Sequence, residues 1–313
     1  MVTLIETIEG VRRACDQARA AGRTVGLVPT MGYLHEGHRS LMRRARAETD
    51  LVVVSVFVNP TQFGPNEDLA RYPRDLEGDL RACEDEGVDV VFAPSVDEMY
   101  PRGSATTVHV EGVTRGLCGD HRPGHFDGVT TVVAKLFAIT GRCRAYFGRK
   151  DAQQVAVVTR MARDLDLPVE VVPCPLVREA DGLARSSRNA YLSPEDRCAA
   201  PVLFRGLRAA ADLVVGGERD PKRVVDEVRA VVATEPRVEL EYVEARDAAT
   251  IAPIDRIDGD VLLALAAHLG GTRLIDNVGI SVLGDSVVVD LGALPSEQSA
   301  GAATSARPSL GPS

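Results

Sequence analysis

Eight consecutive residues, Leu51-Val52-Val53-Val54-Ser55-Val56-Phe57-Val58, carry a single polar side chain among them. A strand that is apolar on both faces must be covered on both, the condition of a central strand in a parallel sheet flanked by helices. Val25 to Val28 is a second, shorter apolar run. Between the two lies a helical pattern from about Glu36 to Glu48, with Leu41, Met42 and Ala45 on one face. Strand, helix and strand make a βαβ unit with a right-handed crossover, and ligands of such sheets bind outside the carboxyl ends of the strands.

Both strands of this unit end in polar turns. Pro29-Thr30-Met31-Gly32 leads into His35-Glu36-Gly37-His38, which places two imidazoles at a helix N-terminus. Free backbone N–H groups and the positive end of the macrodipole make such a terminus a site for phosphate. Two imidazoles three residues apart can face it together and stabilise charge that grows in a transition state. No further His or Cys stands at short ligand spacing, which disfavours structural zinc. The second strand runs into Asn59-Pro60-Thr61-Gln62-Phe63-Gly64. Asn59 and Gln62 offer uncharged donors and acceptors to a small polar substrate, although Asn-Pro is also an ordinary turn signal. The two turns are expected to face each other.

The strand–turn–helix pattern recurs at Tyr146-Phe147-Gly148 followed by Lys150-Asp151-Ala152-Gln153-Gln154. Lys150 is a mobile point charge suited to phosphate, and Gln154 lies one turn further on. Asp151 can accept from ribose hydroxyls or cap the helix. Ser186-Ser187-Arg188-Asn189 combines hydroxyl donors with a planar cation, a set able to hold phosphate. Arg122-Pro123-Gly124-His125 is either a further source of a cation and an imidazole or a plain glycine turn.

The remaining pattern predicts a helix over 3–21, a helix over 75–86, strands at 88–93, 106–110 and 169–172, and an apolar helix over 129–139. After a boundary near 186–192 come helices over 194–215 and 221–233 and strands at 239–244, 261–267 and 273–280. The fold class expected is α/β: a Rossmann-like, doubly wound parallel sheet over residues 1–186 with a smaller α+β C-terminal lid domain over 187–285. Residues 286–313 are expected to be a disordered tail, since from Ser296 onward Ser, Ala, Gly and Pro dominate and cannot bury enough to fold.

Composition narrows the function classes. The net charge is −9, which argues against a general nucleic-acid surface, so positive charge for anionic ligands must be focused locally. No run of 18 apolar residues offers a membrane span. Six scattered cysteines without a C-x-x-C pair fit reduced thiols, and with acids in the first ten residues in place of a signal-length apolar core a cytoplasmic location is expected.

Taken in order, Pro29-Thr30-Met31-Gly32 with His35-Glu36-Gly37-His38, Phe57-Val58-Asn59-Pro60 with Gln62-Phe63-Gly64, Phe147-Gly148 with Lys150-Asp151-Ala152-Gln153-Gln154, and Ser186-Ser187-Arg188-Asn189 with Tyr191-Leu192 resemble the pantothenate synthetase (pantoate–β-alanine ligase) family. The resemblance covers about residues 1–283. The His-x-x-His turn alone would indicate only the wider nucleotidylyltransferase superfamily. The resemblance implies a ligase that forms enzyme-bound pantoyl adenylate and pyrophosphate from pantoate and ATP with Mg2+. The amine of β-alanine then attacks the acyl carbon, giving pantothenate and AMP. It implies a mobile lid and a homodimer, with no nucleic-acid or membrane partner.

By the same resemblance His35, His38, Lys150, Ser186 and Arg188 are catalytic. The backbone of Met31, together with Gly148, Lys150, Asp151, Val177, Ser186, Ser187 and Arg188, holds ATP, and Gln62 and Gln154 grip pantoate. Asn59 and Tyr72 belong to the pocket wall and the β-alanine side, and Asp79 is a candidate contact for magnesium. Charge neutralisation is expected from Lys150, Arg188, the two histidines and magnesium; no base for the amine step stands out. Two residues depart from the family pattern: Arg185 replaces the usual methionine before Ser-Ser-Arg-Asn, and Arg149 stands where glutamate is frequent. Both are expected to add positive charge at the nucleotide edge. Arg185 is expected to remain compatible with ATP, so Arg185→Met should change the KM for ATP by less than about tenfold. The alternatives are a related adenylyl- or nucleotidyltransferase acting on another acid and a non-catalytic nucleotide-binding relative.

Overall fold

In the computed structural model, which describes residues 1–65 and 67–294, the elements follow in chain order. They are β1 (Thr3–Ile5), α1 (Ile8–Ala20), β2 (Val25–Thr30), α2 (Glu36–Glu48), β3 (Leu51–Val56), α3 (Leu76–Asp85), β4 (Val90–Phe92), α4 (Val96–Met99), α5 (Leu117–His121) and α6 (His125–Thr140). Then come β5 (Cys143–Gly148), α7 (Ala152–Asp164), β6 (Val169–Cys174), α8 (Pro194–Ala199), α9 (Val202–Val215), α10 (Pro221–Val232), β7 (Glu239–Asp247), β8 (Gly259–Leu269), β9 (Thr272–Leu283) and β10 (Ser286–Asp290).

The first six strands form one parallel sheet in the order β1-β4-β3-β2-β5-β6. From β2 the chain builds outward through β3 to β4, and later through β5 to β6 on the other side. The order therefore reverses between β2 and β5, and the crevice at their carboxyl ends is where an open α/β sheet takes its ligand. The double-sided apolar character of β3 is met by two packed layers. Leu27, Val53 and Phe92 point to the side of α1, α6 and α7; Val28, Val52, Val54 and Val91 point to the side of α2 and α3.

The last four strands form a separate antiparallel sheet, order β10-β9-β8-β7. One face packs against α9 and α10 through Leu263, Leu265, Val278 and Ile280. Residues of the other face, Tyr242, Leu262, Ala264 and Ala266, join the apolar layer of the first sheet beside Leu117 and Cys118. The architecture is thus a Rossmann-like domain with a smaller α+β C-terminal domain, as the patterning indicated.

Four expectations need correction. The first helix starts at Ile8, capped by the Thr7 side chain, because Thr3–Ile5 is an edge strand paired with β4; three residues are too few to show a period. No strand forms at 106–110: Val108 N donates to Thr131 Oγ1 and Thr130 Oγ1 donates to Val108 O, so the segment lies along α6 rather than a sheet edge. The helix expected over 194–215 is broken before Val202 at Ala200-Pro201, where proline cannot donate to the preceding turn. Part of the tail expected from 286 is ordered: Ser286–Asp290 pairs with β9, and Ala293 bridges to Val177. Residues 295–313, where that expectation also falls, lie outside the described residues.

Candidate active site

The cleft at the β2/β5 reversal is built from the turns named above. Beyond β2 the chain must turn sharply, and Gly32 does so at φ +80. A Cβ there would stand 2.7 Å from Asp79 Oδ2 and 2.9 Å from Val56 Cγ1, so no other residue fits without displacement. Asp79, on α3, accepts from the backbone N–H of Tyr33 at 3.0 Å and of Leu34 at 2.7 Å. It is 3% exposed and does not line the cleft. Each of its oxygens accepts one backbone N–H of the turn, which gives Asp79 a turn-shaping role behind the cleft wall.

The turn delivers His35 to the N-cap of α2. Gly37 N donates to His35 Nδ1 at 3.1 Å, and His35 N donates to His38 Nδ1 at 3.3 Å, a reciprocal capping box made by two imidazoles. Each Nδ1 is therefore an acceptor, and each neutral ring carries its proton on Nε2. The rings lie together, with centroids 4.1 Å apart. Burial pushes the pKa of His35 down to about 2, helped by the neighbouring His38, Lys150 and Arg185. Burial also lowers His38, to about 4, against the opposing pull of Asp151. At neutral pH the pair offers two N–H donors and no positive charge.

Opposite them, Gln62 and Asn59 share the cleft with His35 and His38, as their strand ends predicted. Asn59, 1% exposed, is fully engaged by protein. Its Nδ2 donates to Gln62 Oε1 at 3.2 Å and Gly128 O at 3.1 Å; its Oδ1 accepts from Tyr100 Oη at 2.9 Å. It therefore positions Gln62 and has no hydrogen to spare for a substrate. Gln62 in turn directs Nε2 at Met31 Sδ, 3.1 Å away. The Gln62 carbonyl accepts from His125 Nδ1 at 2.8 Å, while Arg122 donates to His125 Nε2 at 3.0 Å. His125 thus holds the other tautomer, and burial lowers its pKa to about 4, with Arg122 adding to the effect. Gly128 lets α6 approach this loop: a Cβ would lie 2.3 Å from Thr61 O. The sequence left Arg122 and His125 undecided and did not single out Tyr100; all three turn out to hold or line the Gln62 side.

Lys150, Asp151, Gln154 and Gly148 line the same cleft from the end of β5 and the start of α7, and Met31, Tyr72 and Val177 complete its wall. Among the described residues the Lys150 ammonium makes no hydrogen bond or ion pair; only the backbone carbonyl of Lys150 is engaged, by Asn277. Ser186 Oγ caps the following turn by accepting from Arg188 N, and Ser187 Oγ donates to Tyr33 O at 3.3 Å, tying this loop to the first turn. Arg188 lies over the Tyr72 ring, 5.6 Å from its centroid. Its Nε and Nη2 are held by Asp68 at 3.0 and 2.9 Å. Arg149 does not line the cleft: its guanidinium pairs with Asp290 of β10 at 2.7 Å. Of the two departures only Arg185 therefore adds charge to the site. No described cleft-lining residue comes from beyond Arg188.

Comparison with known proteins bears on the chain as a whole. A family model for pantoate–beta-alanine ligase matches residues 3–279. The pantothenate synthetases of Acetivibrio thermocellus and Moorella thermoacetica are each 56% identical over 279 residues, 89% of this chain and 99% of theirs. Among solved structures, the pantothenate synthetase of Thermus thermophilus superposes with a TM-score of 0.84 at 47% identity, covering 88% of this chain and 98% of that one. A Francisella tularensis pantoate–beta-alanine ligase, complexed with beta-gamma ATP and beta-alanine, superposes with a TM-score of 0.74 at 32% identity, covering 88% and 97%. Matched over most of its length in sequence and in structure, the chain belongs to the pantoate–beta-alanine ligase family.

Proposed function

We propose that the cleft joins pantoate to ATP as an enzyme-bound pantoyl adenylate and then passes the pantoyl group to β-alanine, releasing pantothenate and AMP. One observation carries this reading: paired Nε2–H donors, an unpaired lysine and two glutamines converge at the reversal point of the sheet. Attack of a carboxylate on the α-phosphorus of a polyanion asks for in-line positioning and charge stabilisation more than for proton transfer. His35 and His38 supply directed N–H donors to phosphate oxygens, and Lys150 supplies charge. Gln62 and Gln154 hold pantoate, with Asn59 and His125 fixing the first of them. Met31, Gly148, Asp151, Val177, Ser186, Ser187 and Arg188 form the nucleotide side, and Tyr72 walls the β-alanine side.

Magnesium belongs to this reading as an ion delivered with the triphosphate. Asp151 is the one carboxylate among the described cleft-lining residues, and no described cluster of three ligating side chains offers a ready-made cage. That donor set suits an ion whose shell is mostly phosphate and water. Imidazoles lowered to pKa values of about 2 and about 4 are weak bases for an amine, so the proton of the β-alanine ammonium is assigned to solvent.

Residues 1–186 form the ATP- and pantoate-binding domain of this proposal, and the C-terminal unit, from 187 through β10, is a lid that keeps water from the mixed anhydride. A homodimer and a cytoplasmic location complete it; six free thiols, five of them buried, support a reducing compartment. The test is pantoate-dependent exchange between pyrophosphate and ATP without β-alanine. Exchange in the native protein, reduced about 10²-fold or more in His38→Ala, is the expected result. Absence of exchange while ATP still binds would point to another acid substrate or to a silent relative.

A further inference from the structure

Among the described residues four cationic side chains line the cleft: Arg122, Lys150, Arg185 and Arg188. Two of them already have carboxylate partners. Arg122 is clasped by Glu67 at 2.7 and 2.5 Å, and Arg188 by Asp68 at 3.0 and 2.9 Å. Arg185 is different. Its backbone is fixed, with N–H donating to Val177 O at 2.9 Å, and its Cβ lies 4.0 Å from where a Cβ would stand on Gly37, over the first turn of α2. Its Nε is buried and has no hydrogen-bond partner, and among the described residues its guanidinium makes no ion pair. Both its charge and that of Lys150 bear on His35.

Two unpaired cations flanking a neutral donor pair at a helix N-terminus repel one another until an anion lies between them. A buried guanidinium N–H without an acceptor is likewise an open valence, the kind a phosphate oxygen fills. From this arrangement, and resting on the adenylate-forming reading above, we infer that Arg185 binds the β,γ-diphosphate of ATP and the pyrophosphate released from it. Lys150 shares that load, while Arg122 and Arg188 remain neutralised by their own carboxylates. A single carboxylate such as pantoate carries too little charge to balance both cations. The diphosphate has the charge and the acceptor oxygens to satisfy them together.

The experiment is titration of inorganic pyrophosphate, and separately of AMP, into the native protein, Arg185→Met and Arg185→Lys, followed by calorimetry. Pyrophosphate affinity should fall about fivefold or more in Arg185→Met and recover in part in Arg185→Lys, with AMP affinity unchanged within about twofold. Unchanged pyrophosphate affinity in Arg185→Met overturns the inference, as does an equal loss for AMP. Folding is checked by the unfolding midpoint of each variant, and Arg185→Gln replaces Arg185→Met if the latter fails to fold. Because binding is read without turnover, this result stands apart from the exchange assay: absent exchange defeats the adenylate reading, whereas pyrophosphate affinity judges Arg185.

Discussion

At His35 and His38 the backbone dictates the tautomer before any ligand arrives. Each Nδ1 is consumed by a peptide N–H of the same turn, so the proton resides on Nε2 and faces the cleft. Burial then keeps both rings neutral. In an NMR titration their ring C–H resonances should stay at neutral positions from about pH 8 to about pH 5.5; a midpoint near 6.5 for either would contradict this assignment. The same shifts carry a sign for stability. His38 and His125 are lowered to about 4, and His35 to about 2, from an ordinary value of 6.5. The unfolded chain takes up these protons near pH 6.5 and the folded chain does not. Stability is therefore fully present above about 6.5 and is lost as pH falls through about 4 for His38 and His125 and on toward about 2 for His35. The thermal midpoint should drop between about pH 7 and pH 5, and His125→Asn should drop less steeply; parallel slopes would show that other groups carry the dependence.

At the scale of elements, the C-terminal sheet influences the cleft without lining it. β9 places Asn277 beneath the start of α7, where Nδ2 donates to Arg149 O at 3.0 Å and Lys150 O at 2.9 Å. That fork fixes the peptide from which Lys150 projects. Asn277→Ala should lower kcat for adenylate formation about tenfold, with little change in the KM for pantoate. Asn277→Asp should do no better, since a carboxylate cannot donate to the two carbonyls. An unchanged kcat in both would mean that Lys150 is held by other contacts. Arg149 makes a second tie to this unit through Asp290, but both partners are about 40% exposed, a setting in which ion pairs contribute roughly 0–1 kcal/mol.

At the scale of the molecule, the connector between the two sheets is locked from inside. Arg178 is 0% exposed and Asp276 is 2% exposed, and they pair at 2.7 Å. The same guanidinium donates to the carbonyls of Gly182, Asn277 and Leu291 and stacks on Phe204, 4.0 Å from the ring centroid. Arg178→Ala would leave Asp276 buried and unpaired, and should cost about 3–5 kcal/mol of stability in denaturant unfolding. Replacing both partners, Arg178→Met with Asp276→Leu, should recover part of that loss. A single variant as stable as the native chain would show that the connector is held by its apolar contacts instead.

The strands, the turns that end them and the helices that follow were legible in the chain because each is a local pattern: apolar runs, Gly and Pro breaks, capping residues. So was the meeting of His35, His38, Gln62 and Lys150, since parallel strands must carry their carboxyl ends to one edge; Arg188, well beyond the end of β6, was placed there only by the family resemblance. What each side chain does there was not legible. Asp79 shapes a turn, Asn59 is spent on Gln62, Arg149 reaches β10 and Arg188 is clasped by Asp68, all through partners between 3 and 141 residues away that no periodicity announces. Charge state follows the same division. An imidazole is written in the sequence, but its pKa depends on how much water the folded chain leaves around it, and only the packed structure sets that.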